Sequence, residues 1–314
     1  MRIALSTNWS IDRHETGETL VDEALALGFD ALELGYHMTE EVAAGVRRKM
    51  DAGEITVGSV HAFCPVPVGA PQGYPELYLL ASLDDDERAM AAVLLGKTLT
   101  FAESMGAQAV VLHAGRIFLK SWFSELHTGM VEDAVDEEGG TGGPNVRRLL
   151  AKAAKRRASR IRKVFDGFCR SLDTLLPRFE KGRVTLCLEN LPSIEAFPDE
   201  SDMVRLKQRF DTRALAYWHD MGHGQVRENL GLIRHAEAAR ELLPFTRGIH
   251  IHDALPVSRD HLPPGQGAID FSAFAFYNDE RIIRVFEPAP RVKPDDLAAS
   301  LAIIRRVWRY SGLT

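Results

Sequence analysis

The sequence predicts a single (β/α)8 barrel, and three observations carry that expectation. Eight short runs rich in Val, Ile and Leu alternate with longer segments of helical period from one end to the other. The runs are not polar at every second residue, as expected for strands covered on both faces in a parallel sheet. No glycine-rich phosphate loop follows the first run, where Ser6-Thr7-Asn8-Trp9 stands instead, and this turns the choice away from a doubly wound sheet.

In order, the runs are Ile3–Ser6, Ala31–Leu34, Ile55–His61, Ala109–His113, Val184–Glu189, Leu215–His219, Gly248–His252 and Ile282–Phe286. Amphipathic stretches lie between them at Gly17–Leu27, Thr39–Met50, Asp84–Met105, Val146–Leu176, Val226–Leu243 and Pro294–Tyr310. Pro294 followed by Asp295 and Asp296 is a good helix start, with proline early and negative charge in the first turn. The whole chain, 1–314, reads as one barrel with an insertion at about 116–145 after the fourth strand. That insertion holds the acidic block 132–138 and ends in Gly139-Gly140-Thr141-Gly142-Gly143-Pro144, so a lid over the site and a flexible insertion are both open. The next helix carries nine basic residues between Arg147 and Lys163, while Leu150, Ala154, Ile161, Phe165, Phe168 and Leu172 recur at helical spacing. Its basic face therefore reads as solvated, pairing with the acidic block, rather than as a nucleic-acid patch.

Composition narrows the function classes. A formal net charge of −6, from 38 basic and 44 acidic residues, argues against a nucleic-acid partner and leaves a small polar substrate open. The three cysteines, Cys64, Cys169 and Cys187, show no CxxC spacing, which fits a reducing compartment without disulfides. The N-terminus runs straight into strand-like sequence, and nowhere do about 18 apolar residues run together. A cytoplasmic chain without a membrane partner is expected, with a homo-oligomer left open.

The chemistry lies where the strands end. At or just past the C-terminal ends stand Glu33, His61, His113, Glu189, Asp220 with His223, His250 with His252, and Glu287. In a (β/α)8 barrel these ends converge on the face where active sites are built. A single strand-end histidine is more often structural than a ligand. Seven strands ending in carboxylates and imidazoles have no such simple explanation. Glu189, Asp220, His250 and Glu287 together offer three hard oxygen donors and one imidazole, which suits Mn2+, Mg2+ or Co2+ and accepts Zn2+.

At these residues the sequence resembles the xylose isomerase-like TIM barrel superfamily. It is similar in particular to the sugar phosphate isomerase/epimerase branch, with dehydratases of inososes and 3-dehydroshikimate alongside and endonuclease IV more remote. The motifs are Val111-Leu112-His113-Ala114-Gly115, Leu188-Glu189-Asn190-Leu191, His219-Asp220-Met221-Gly222-His223 and Gly248-Ile249-His250-Ile251-His252-Asp253. The run from His261 to Asp270, containing Pro263-Pro264-Gly265, and the strand-end Glu287 complete them. The resemblance implies that Glu189, Asp220, His250 and Glu287 bind the metal, His250 being selected over His252. It implies that His223 contacts substrate or a further metal, and that His61 and His113 match positions holding additional zinc ions in endonuclease IV. His252 and His261 remain candidates for substrate or additional metal. One departure counts against a second or third cation: Asp260 and His261 are adjacent, where relatives often have Asp-x-His.

The function expected is a metal-dependent isomerase or epimerase acting on a sugar or sugar-like polyol ketone through an enediolate, with Glu189 and Glu287 as base and acid and His223 orienting the substrate oxygen. A lyase is the nearest alternative, because the same intermediate can expel a β-hydroxyl from an inosose or dehydroshikimate-like substrate. Phosphodiester hydrolysis in the manner of endonuclease IV is disfavoured by the negative charge and the lack of a basic, aromatic-laced loop.

Overall fold

The computed structural model describes residues 2–119 and 126–310. Eight parallel strands close into a barrel: β1 (Ala4–Ser6), β2 (Ala31–Leu34), β3 (Thr56–His61), β4 (Ala109–Leu112), β5 (Thr185–Glu189), β6 (Leu215–Asp220), β7 (Thr246–Ile251) and β8 (Ile283–Phe286). Each pairs with the next, and β1 closes the ring on β8 with Ala4 opposite Val285. The eight runs read from the sequence are these strands, with ends shifted by one or two residues.

Strand alternation sorts the side chains. Ile3, Leu5, Leu32, Leu34, Val110, Leu112, Leu186, Leu188, Ile249 and Ile251 face outward, into the main core beneath the helices. Ala4, Ala31, Ala109, Val111, Cys187, Ala216, Trp218 and Val285 face inward and form a second apolar cluster, the floor of the barrel. Trp218 fills much of that floor because Gly248 lets it: a Cβ on Gly248 would lie 2.1 Å from the indole ring. Two residues beyond the floor, the same strands place Ser6, Glu33, His113, Glu189, Asp220, His250 and Glu287 on the inner face at the catalytic end.

The helices are α1 (Gly17–Ala26), α2 (Glu40–Asp51), α3 (Asp85–Ser104), α4 (Leu126–Glu138), α5 (Pro144–Lys181), α6 (Glu200–Arg209), α7 (Met221–Asn229), α8 (His235–Leu242) and α9 (Pro294–Tyr310). Four sequence expectations are corrected here. The stretch Val226–Leu243 is two helices, because Leu230 caps α7 and Gly231 takes a left-handed turn (φ 73°) before α8. The helix α6 was not anticipated. Its start is a capping box in which Asp199 accepts from the Asp202 amide at 2.8 Å. The insertion after β4 is no loop over its second half: α4 buries Val131, Ala134 and Val135, leaving most of its acidic residues outside. The carboxylate of Glu195, 2% exposed, holds its first turn by accepting from the His127 amide (2.9 Å) and the Thr128 hydroxyl (2.6 Å). Residues 120–125 of the insertion lie outside the described residues. Finally, the basic helix does not turn to the acidic block for its described ion pairs. Arg157 reaches Asp199 (2.9 Å) and also pairs with Asp202, at the start of α6.

No helix of the described residues is long and apolar enough to cross a membrane.

Candidate active site

The motifs at the strand ends have local physical reasons. Asp220 ends β6 and is also the N-cap of α7, its Oδ1 accepting from the His223 amide at 2.7 Å. The D-x-x-H spacing is thus a cap and the third residue of its helix. Asn190 follows Glu189 and clamps the Asp220 backbone from both sides, donating to its carbonyl (3.0 Å) and accepting from its amide (2.7 Å). The carbonyl of Asn190 accepts from His223 Nδ1 at 2.9 Å. Asp253 turns the Pro-Pro-Gly loop back over the barrel. Its Oδ2 accepts from the amides of Gly265 and Gly267, both at 2.9 Å, and its Oδ1 from Ile269 at 3.0 Å. A Cβ on Gly267 would lie 2.3 Å from that carboxylate.

The expected constellation is brought together. Donor atoms of Glu189, Asp220, His250 and Glu287 lie within 4.8 Å of one another, and all four residues are buried. His250 Nδ1 is 3.2 Å from Glu189 Oε1, 3.1 Å from Glu287 Oε2 and 3.5 Å from Asp220 Oδ2. Two further clusters flank this one: His61, His113 and Glu189, and His223, His252 and His261. Glu189 belongs to two of them, its Oε2 being 3.2 Å from His61 Nε2 and 3.3 Å from His113 Nε2.

Hydrogen bonds sort the imidazoles. A carbonyl accepts and never donates, so a ring nitrogen facing one must carry the proton. His61 donates from Nδ1 to Ala62 O (3.0 Å) and His261 from Nδ1 to Glu287 O (2.9 Å), as His223 does to Asn190. In their neutral forms these three present an Nε2 lone pair to the site. His252 differs. Its Nδ1 accepts the His261 amide proton (2.9 Å) and its Nε2 meets Asp220 Oδ2 (2.8 Å), so both nitrogens are engaged and the ring orients Asp220. The adjacency of Asp260 and His261 does not keep them from the site. His261 adopts φ 52° and stacks on His252 at 4.0 Å, while Asp260 Oδ2 lies 3.8 Å from His223 Nε2.

Two contributors carried no signal in the sequence. Glu76, from the long loop after β3, takes a bidentate pair from Arg116 (2.8 and 2.7 Å) and lies 3.5 Å from His113 Nδ1. Tyr36 puts its ring 5.2 Å from that of His61. Burial and then the Glu287 carboxylate push its hydroxyl above the ordinary range, which leaves it a donor.

The electrostatics separate the two glutamates. Burial pushes Glu287 up to about 7, with the charges of Glu189 and Glu33 adding to the rise against the pull of His250. Burial works in the same direction on Glu189, but His250 and His113 overcome it and hold that carboxyl well below the ordinary range. Burial likewise opposes the charged form of His113, yet Glu189 and Glu76 bring it up to about 10. Among the described residues no lysine or arginine pairs with Glu33, Glu189, Asp220 or Glu287; their ion-pair partners are histidines. Three carboxylate oxygens with one imidazole fit a hard divalent ion.

The fold gathers this concentration of carboxylates and imidazoles at the C-terminal face of a (β/α)8 barrel. The chain belongs to the xylose isomerase-like TIM barrel family, whose model matches residues 21–277. Solved structures of similar fold include a D-tagatose 3-epimerase-like protein at 15% identity and a TM-score of 0.71, covering 99% of this chain and 98% of that one. Another is a 3-keto-D-glucoside 4-epimerase from E. coli, at 16% identity and 0.67, covering 98% and 99%. A probable 3-DHS dehydratase from Bacillus anthracis aligns at 14% identity and 0.59, covering 97% and 99%. At these identities the likeness is one of fold. No curated protein matches the sequence.

Proposed function

We propose that the protein is a metal-dependent isomerase or epimerase of a sugar or sugar-like polyol ketone, with Glu189, Asp220, His250 and Glu287 holding a Mn2+, Mg2+ or Co2+ ion. The observation that carries this reading is the placement of Glu189 and Glu287, from β5 and β8, on the same His250 nitrogen at 3.2 and 3.1 Å. Two carboxylates so placed flank a substrate from different sides. The cation, when bound, supplies Lewis-acid stabilisation of the negative charge that develops on the substrate oxygen. One glutamate takes the proton from the carbon beside the carbonyl and the other returns a proton, on the opposite face for epimerisation or at the neighbouring carbon or oxygen for isomerisation. His223, fixed through Nδ1 by Asn190, presents Nε2 to orient a substrate oxygen. The Ser6 hydroxyl and both polar atoms of the Asn8 amide are buried without a hydrogen-bond partner among the described residues, which supports a substrate bearing several hydroxyls.

The test is solvent deuterium uptake at the carbon beside the carbonyl, screened over ketoses, inososes and dehydroshikimate with metal-loaded protein. Uptake with a ketose or its epimer as product supports the reading; uptake with loss of water makes the enzyme a dehydratase. A second reading rests on the flanking clusters. If His61 and His113 hold a cation against Glu189 Oε2, Glu189 becomes a bridging ligand and is lost as a base, and the site then suits hydrolysis of a phosphate ester. Metal content separates the two: one equivalent per chain fits proton transfer, whereas two or three with phosphodiester cleavage and no deuterium uptake overturns it.

A further inference from the structure

We propose that Glu33 is a positioning residue that fixes which nitrogen His250 presents to the cation, a role that rests on the reading of His250 as a ligand. Glu33 lies in β2 and is fully buried, as is His250. Its Oε1 stands 3.0 Å from His250 Nε2, a contact made from β2 to β7, strands separated in the barrel by β1 and β8. Its Oε2 accepts from the Ser59 hydroxyl at 2.7 Å, so both oxygens are held.

A neutral imidazole has one lone pair. With the proton on Nε2 and directed into Glu33, that lone pair sits on Nδ1, the atom surrounded by Glu189, Asp220 and Glu287. Without Glu33 the ring would bury an unpaired Nε2–H or take the other tautomer, which turns its lone pair away from the three carboxylates. A carboxylate on the far nitrogen also raises the basicity of the ligating one. Ser59, opposite Glu33 in the β2–β3 register, keeps the carboxylate from turning toward the cation as a fourth oxygen ligand.

A purely structural role makes a different forecast. Glu33 also pairs with His250 in the metal-free chain, so under a purely structural role its loss would lower the metal-free melting point and leave the metal affinity intact. Glu33→Gln keeps the shape and an acceptor oxygen but removes the charge; Glu33→Ala removes both. Titration calorimetry with Mn2+ and the visible spectrum of the Co2+ form read the site without reference to turnover. Mn2+ affinity is expected to fall about 10-fold in Glu33→Gln and about 100-fold in Glu33→Ala, the range usual for loss of a partner behind a histidine ligand, with a shifted Co2+ spectrum. The rise in melting point produced by Mn2+ is expected to shrink in both variants. Mn2+ affinity unchanged from wild type in both variants overturns the proposal, as does a lower metal-free melting point with affinity intact. A wild-type chain that takes up no divalent cation overturns the metal reading and the role of Glu33 with it.

Discussion

Around Trp218 the barrel is filled by Ala4, Ala31, Ala109, Val111, Cys187, Ala216 and Val285. Two residues further along the same strands the filling changes to Glu33, His113, Glu189, Asp220, His250 and Glu287. The strands are the same in both layers, and all but His113 of these residues are buried; the side-chain chemistry differs. The floor is stable by itself, since apolar groups removed from water need no partner. The upper layer depends on pairing, because carboxylates out of water need cations, and here the described partners are imidazoles such as His113. The floor carries stability and the layer above it the proposed chemistry, a division that (β/α)8 barrels make possible by placing function at one end of the strands.

The sharpest way to break this comparison is to neutralise the upper layer. Glu189→Gln or Glu287→Gln is expected to slow exchange of the substrate's α-proton by about 10²–10⁴-fold, read by NMR in deuterated buffer, with the fold intact. Near-normal turnover in both variants moves the chemistry to His223 or His252.

The floor should respond in the opposite sense. Trp218→Ala is expected to cost about 3–5 kcal/mol in denaturant unfolding, the range for a buried large aromatic. Asp220→Ala should abolish metal uptake, measured by elemental analysis, while the metal-free chain stays folded. Equal loss of stability in both variants would erase the distinction between the layers.

The outer face of β6 carries a third test. His219 is buried against His235 at 3.0 Å and Tyr217 at 3.1 Å, and burial lowers its pKa from 6.5 to about 4. The folded state therefore binds this proton less readily than the unfolded chain. The stabilisation is complete above pH 6.5 and is lost as pH falls toward 4, by about 3 kcal/mol at about 1.4 kcal/mol per unit. Because Glu287, pushed up to about 7, gains stability over the same window, the loss is read by comparing wild type with His219→Gln from pH 7 to pH 4; parallel denaturant midpoints refute it. A smaller effect belongs to Gly248→Ala, whose methyl group meets the Trp218 ring. Overpacking of this kind costs about 1–3 kcal/mol, measurable as a lower melting point with metal content unchanged.

The pattern of apolar strands tipped with acid/base groups was legible because both halves of it are local. Alternation along a strand is a period of two, and Glu189 or Asp220 stands in the chain beside the residues that make its strand. The spacing of His223 from Asp220 was legible for the same reason, being one turn of a capped helix. Glu76 and Tyr36 were not recognised as parts of the site, since nothing in a loop marks a residue that acts by touching one far away in sequence, and Asn190 stood in a motif without a role of its own. The acidic block of α4 read as loop because its few apolar residues, Val131, Ala134 and Val135, need the neighbouring core before they are worth burying. Sequence alone determined the strands, their order and which residues end them, because each depends on neighbours along the chain. Which nitrogen each histidine offers, and that Glu33 meets His250 across the barrel, only the tertiary structure decided. Those contacts join residues as far apart as 33 and 250, and they exist only when the ring of strands closes.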